Sequence, residues 1–184
     1  MNKKFFIVVP AYNEEKTIEK VVDDILSNST VDKCIVVNNN STDSTEEIVR
    51  KQVEKYKGRL EILYEKKQGK GNALKLALDT LSDKNIDYIG IIDADDTYAA
   101  IEFDRMCKDL IDRKLDMIVG NRFVLGGYQD SNDRLGHIMG NKIISKIIKF
   151  SSGVEVEDAL SGMRVFTQRY IKSFRNISDG FQLE

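Results

Sequence analysis

Histidine, cysteine and proline are scarce in this chain of 184 residues, and each scarcity excludes something. The two cysteines, Cys34 and Cys107, form no Cys-x-x-Cys pair and fall in a predicted strand and a predicted helix. That excludes a zinc ribbon and a disulfide framework and fits a reducing, cytosolic setting. The one histidine, His137, lies in an isoleucine-rich segment and reads as a surface or packing residue rather than a catalyst. The single proline, Pro10, marks no domain boundary, and there are no repeats or low-complexity tracts. No run approaches the ~20 apolar residues of a membrane span. Met1-Asn-Lys-Lys4 leads straight into a strand, without the apolar core of a signal peptide. A net charge of −2 gives no global attraction to nucleic acid, so any basic patch is local. With 41% apolar and 32% charged residues, the chain has the composition and length of one globular domain with a real core.

What is present is an alternation. Apolar runs at 5–9, 33–37, 60–64, 88–92 and 115–119 read as buried strands, and helical periodicity separates them. Ile18, Val21, Val22, Ile25 and Leu26 form one inner face. Glu14, Glu15 and Thr17 suit the first turn of that helix. A second helix runs to about residue 55, capped by Asp43 or Ser44, and a third covers 73–81. A fourth covers 100–113 with Ile101, Met106, Leu110 and Ile111 inward. The pattern predicts an α/β fold, a Rossmann-like, mainly parallel central sheet with helices on both faces. Ligands of such sheets bind at the carboxyl ends of the strands.

Polar motifs follow these strands. The second empties into Asn38-Asn-Asn-Ser-Thr-Asp-Ser-Thr45, eight consecutive polar residues. They read as a turn and cap, or as amides of Asn38 and Asn39 facing a nucleotide base. Gln68-Gly-Lys-Gly-Asn72 opens the third helix, where free N–H groups and Lys70 suit an anion. Neither the Walker A spacing nor Gly-x-Gly-x-x-Gly is met, since position 74 is Leu. The fourth strand breaks into Asp93, Asp95 and Asp96, a cluster too costly to bury unpaired. A divalent cation is the simplest partner, and a solvated acidic loop is the alternative. An EF-hand is excluded, because Tyr98 and Asp104 stand where its Gly and Glu belong.

Taken together, these pieces resemble the family-2 glycosyltransferases of the GT-A fold, and more narrowly the polyprenyl-phosphate sugar synthases. The resemblance is carried by Val9-Pro-Ala-Tyr-Asn-Glu-Glu15, Val37-Asn-Asn-Asn-Ser-Thr-Asp43, Gly69-Lys-Gly71, Asp93-Ala-Asp95, Gly120-Asn-Arg122 and Asp158-Ala-Leu-Ser-Gly-Met-Arg164. It implies a hexosyltransferase that uses a UDP- or GDP-linked sugar, with Pro10, Tyr12, Glu14, Asn38, Asn39 and Lys70 around the donor. By the same resemblance Asp93 approaches the ribose, and Asp95, with Asp93, holds Mg2+ or Mn2+. Asn38 departs from the family's usual Asp and leaves the choice of base open. Ser161 and Arg164 fall in the segment near the donor and acceptor phosphates, with Asp158 orienting Arg164 or the metal site.

A divalent cation would stabilise the charge that develops on the leaving nucleoside diphosphate. A polyprenyl phosphate is already ionised and needs cations rather than a general base, for which Arg122 and Arg134 are the candidates. In-line attack predicts inversion, giving a β-linked lipid phosphate from an α-linked donor. Over residues 134–150, Ile138, Met139, Ile143, Ile144, Ile147 and Ile148 alternate with Lys142, Lys146 and Lys149. Such a helix lies on an anionic membrane surface or packs on the sheet with its lysines solvated. A membrane surface on the cytoplasmic side and a homo-oligomer are therefore both compatible partners. Two alternatives stand beside this reading. One is a transferase using a glycan or small-molecule hydroxyl, with Asp158 as base; the other is a nucleotide-sugar-binding domain without catalysis. No closing element follows Phe181-Gln-Leu-Glu184, so one catalytic domain over 1–184, cut from a longer protein, is the expected organisation.

Overall fold

The computed structural model describes residues 3–121, 134–153 and 157–175. It divides into two compact units, one of Met1–Ile118 with Met163–Glu184, the other Val119–Gly162.

The first unit is built on a sheet of β1 (Phe5–Ala11), β2 (Lys33–Asn38), β3 (Leu60–Tyr64), β4 (Tyr88–Ile91), β5 (Met117–Val119) and β6 (Arg164–Thr167), in the order β3-β2-β1-β4-β6-β5. β1 lies between β2 and β4 and runs parallel to both, with Val8 opposite Ile35 and Ile91. Five strands fall where the apolar runs predict them. The sixth, β6, is unanticipated: Arg164-Val-Phe-Thr167 is short and reads in the sequence as the end of a phosphate motif. It pairs antiparallel with β4, Tyr88 opposite Thr167 and Ile91 opposite Arg164.

Alternation along the strands fills two cores. Ile7, Val9, Cys34 and Val36 face α1 (Ile18–Ser27), α2 (Thr45–Lys55) and α4 (Glu102–Asp112). Val8, Ile35, Val37, Ile89, Ile91 and Phe166 face α3 (Lys70–Leu81) and α6 (Gln168–Arg175). Burial of side chains of this size contributes roughly 1.5–3 kcal/mol each, before conformational entropy is subtracted.

Gly90 has a specific cause. A Cβ there would lie 2.8 Å from Phe103 and 3.2 Å from Phe5, two rings that meet edge to face at 5.5 Å. Its bare backbone lets α4 press a buried aromatic onto β4, the strand that ends two residues before Asp93. In α4 the inward residues are Phe103, Met106 and Leu110. Ile101 and Ile111 are exposed, Ile101 by 72%, contrary to expectation. Ile101 precedes the first helical residue, and Ile111 is one position past Leu110, on the flank of the stripe.

Two helix starts also differ. α1 begins at Ile18, so Glu14 and Glu15 lie in the preceding turn, where the Glu14 carbonyl accepts the N–H groups of Thr17 and Ile18. α3 begins three residues earlier than the sequence suggests, at Lys70, because Gly69 takes φ 128° and caps it.

In the second unit, α5 (Arg134–Ser152) supplies Asn141, whose buried amide donates to the Glu157 carbonyl at 3.0 Å and accepts the Leu160 N–H at 3.0 Å.

Candidate active site

A cleft of about 520 Å3 opens at the carboxyl ends of β1, β2 and β4. It is lined by Pro10, Ala11, Tyr12 and Glu14 from β1 and its loop, by Asn39, by Gln68, Gly69 and Lys70, and by Asp93, Ala94 and Asp95. Seven residues named from the sequence thus share one wall system: Pro10, Tyr12, Glu14, Asn39, Lys70, Asp93 and Asp95.

The loops that form it are stitched together by side chains. Asn13, in the left-handed region at φ 57°, accepts the Thr42 N–H at 2.8 Å and donates its own N–H to Ser41 Oγ at 3.1 Å. The Glu14 N–H reaches Thr45 Oγ1 at 2.8 Å, and the Glu15 N–H reaches Asp43 at 3.1 Å. Glu15 returns the contact by accepting the Ser44 N–H at 3.0 Å. Burial pushes the Asp43 carboxyl up, but the hydroxyl and N–H of Thr45 and the N–H of Glu15 outweigh it and hold Asp43 below the usual range. The polar run after β2 therefore clamps the β1 loop.

Asn39 does the same work on the other side. Its amide donates to the carbonyls of Glu65 (3.2 Å) and Lys67 (2.8 Å) and accepts the Gly69 N–H at 2.8 Å. The side chain lines the cleft while all these bonds tie β2 to the start of α3. Asn38 does not line the cleft; it accepts the Ser41 N–H at 3.0 Å and donates to Glu46 at 3.3 Å.

Charge in the cleft is unbalanced. Glu14, Asp93 and Asp95 bring three carboxylates against one ammonium, Lys70, which contacts Asp93. Burial, then the nearby Asp95, Asp93 and Asp43, raise Glu14 above its ordinary pKa, although the Thr17 hydroxyl opposes them. Asp95 accepts the Thr97 N–H at 3.0 Å, which leaves oxygen lone pairs for a ligand. Asp96 does not line the cleft and pairs with Lys20 at 2.6 Å. Among the described residues no three acidic, histidine or cysteine side chains group closely enough to enclose an ion. The donor set fits a hard cation held by one or two carboxylates, the rest of its shell coming from a bound phosphate and water.

The remaining sequence candidates are not in this cleft's lining. Arg164 opens β6 opposite Ile91, and its charge is felt by Tyr170 of α6. In the second unit Asp158 and Ser161 are buried. Arg122 and the side chains of Arg134 and His137 lie outside the described residues. Ala11, Gln68, Gly69 and Ala94 complete the lining; they fall inside the motifs quoted from the sequence but are not among the residues named there for the site.

The sequence model of glycosyl transferase family 2 matches residues 6–174. Glycosyltransferase AglJ of Haloferax volcanii is 29% identical over 97% of this chain and 55% of its own. The UDP-N-acetylglucosamine–dolichyl-phosphate N-acetylglucosaminyltransferase of Methanococcus voltae is 28% identical over 93% of this chain and 72% of its own. Among solved structures, glucosyl-3-phosphoglycerate synthase of Mycobacterium tuberculosis in complex with Mn2+, UDP and phosphoglyceric acid superposes with a TM-score of 0.67 at 20% identity, covering 91% of this chain and 56% of that one. The chain thus spans about half the length of AglJ and of the synthase. With the family model covering nearly all of it, and the sheet shared with those structures, the chain belongs to glycosyl transferase family 2 and has the GT-A fold.

Proposed function

We propose that this chain transfers a hexose from a nucleoside-diphosphate sugar to a polyprenyl phosphate with inversion, and that its cleft is the donor site. The observation that carries the reading is the convergence of three carboxylates and Lys70 on one cleft at the carboxyl edge of the sheet. In this role Pro10, Tyr12 and Glu14 hold the nucleoside and Asp93 approaches the ribose. Asp95 and Asp93 are the ligands for Mg2+ or Mn2+, which supplies charge stabilisation to the departing diphosphate. Mn2+ and UDP in the solved synthase support a divalent cation and a uridine donor. Lys70, at the first position of α3, adds a cation where the phosphates would lie.

The lipid acceptor is supported by the Methanococcus relative's substrate and by α5. Ile143 is 54% exposed, Ile147 60% and Phe150 96%, and they follow one another at helical spacing. Lys146 and Lys149, also exposed, flank that stripe. Apolar side chains beside lysines suit an anionic bilayer surface, which is where a polyprenyl phosphate resides. No helix among the described residues is long and apolar enough to cross a membrane.

The test offers UDP-glucose, UDP-N-acetylglucosamine and GDP-mannose, each labelled in the sugar, with Mn2+ and either a short polyprenyl phosphate or 3-phosphoglycerate. The expected result is label in the organic phase from one donor, lost by about 100-fold or more in Asp95→Ala. Label on the hydroxyl acceptor alone, abolished by Asp158→Asn, would instead establish the hydroxyl-acceptor reading. Thermal shifts with UDP and GDP, with and without Mn2+, read donor binding independently of turnover.

A further inference from the structure

The two carboxylates that would hold a cation are not equivalent. Among the described residues Asp95 has no cationic partner, whereas Asp93 is already in contact with the Lys70 ammonium. The Lys70 side chain is exposed, but its backbone is fixed. Its backbone follows Gly69, whose N–H is held by Asn39 and whose φ of 128° is open essentially to glycine, and it begins the twelve-residue helix α3. The chain thus places one ammonium against one of the two aspartates of the cleft. Two carboxylates are a thin ligand set for a divalent ion, and an ammonium on one of them thins it further.

We propose that Lys70 is a placeholder cation: it pairs with Asp93 before the donor binds and yields it to the divalent ion more readily once a diphosphate arrives to accept the ammonium. Metal binding then depends on the donor because of one side chain, in addition to the oxygens the diphosphate itself offers. The inference rests on the donor reading of the cleft. It goes beyond that reading by assigning Lys70 a function in the absence of donor and by making part of the coupling between metal and donor a property of this residue.

The experiment measures Mn2+ binding by the electron paramagnetic resonance of the free ion, with and without UDP, in wild type, Lys70→Met and Lys20→Met. Lys20→Met removes the same charge from Asp96, one residue beyond Asp95, and leaves Asp93 paired. It therefore controls for a general change of field. Lys70→Met should bind Mn2+ without UDP about two- to fivefold more tightly than wild type, the range a partly exposed ion pair allows. It should bind UDP less well, and the factor by which Mn2+ and UDP strengthen each other should fall. Lys20→Met should match wild type in both. Unchanged or weaker Mn2+ binding by Lys70→Met alone would overturn the proposal. So would equal tightening in Lys20→Met, which would make the effect one of general charge. A wild type whose UDP binding ignores Mn2+ would instead overturn the donor reading, and the coupling claim with it.

Discussion

The cleft and helix α5 handle their side chains in opposite ways. Around the cleft, Asn13, Asn39, Asp43 and Thr45 direct their polar groups at backbone atoms of neighbouring loops, and the strands behind are apolar on both faces. On α5, Ile143, Ile147 and Phe150 present apolar surface to solvent. One region satisfies its groups within the chain, and the other leaves them for something outside it. On the proposed reading, the contrast separates a seat for a small polar donor, which has to be rigid, from a surface that has to be adhesive. Large apolar side chains left exposed in a row mark a contact surface more often than an accident of packing.

The comparison can be broken at the rigid end first. Gly90→Ala pushes a methyl into the buried Phe5–Phe103 contact and should destabilise the protein by about 1–3 kcal/mol, measured by urea unfolding. Coupling with Phe103→Leu in a double-mutant cycle tests the cause, since the pair should cost less than the sum of its singles. Asn39→Ala strands the Gly69 N–H and two carbonyls and should cost about 1–3 kcal/mol, with a larger loss of UDP affinity than of stability. At the adhesive end, Ile147→Asp with Phe150→Asp should lower binding to phosphatidylglycerol vesicles about tenfold or more. The melting temperature and UDP binding should stay within error, because neither side chain is buried. A fall in stability there would mean the face is packed.

The smallest effects concern pH. Glu14 has a raised pKa in the fold, so its ionised form disfavours folding at neutral pH, and that penalty is relieved as pH falls through the folded value. Glu14→Gln should therefore raise the melting temperature slightly at pH 7 while weakening donor binding. Asp43 has a lowered pKa, so its contribution is present above the unfolded value and lost as pH falls through the folded one. Asp43→Asn should lower the melting temperature at pH 7 and flatten its fall below about pH 4.

The fold was legible where periodicity was long. Five strands could be read because short apolar runs bounded by polar turns alternate with helical segments, and the inner face of α1 because its apolar residues recur at helical spacing. β6 was not, since four residues carry no periodicity and its place is set by β4. Exposure of Ile101 was missed because helical spacing assigns a face but not the residue at which the helix starts. In the site, the aspartates and Lys70 were legible as chemistry in the sequence, and the β1 loop only through the family resemblance. The work done by Asn39 was not, because an asparagine facing a base and one tying two loops look alike until the distant carbonyls of Glu65 and Lys67 are located. Asn141 was equally silent, as its partners lie 16 and 19 residues further along the chain.

The bonds made by Asn39 have a thermodynamic consequence for timing. A loop held by three contacts to one amide loses its conformational freedom when the protein folds, not when ligand arrives. On the proposed reading, nucleotide entering beside Gly69 would meet amides that are already ordered, so less of the interaction enthalpy would be cancelled by entropy on this side of the cleft. Calorimetry of UDP binding should accordingly show a more unfavourable entropy for Asn39→Ala than for the parent chain.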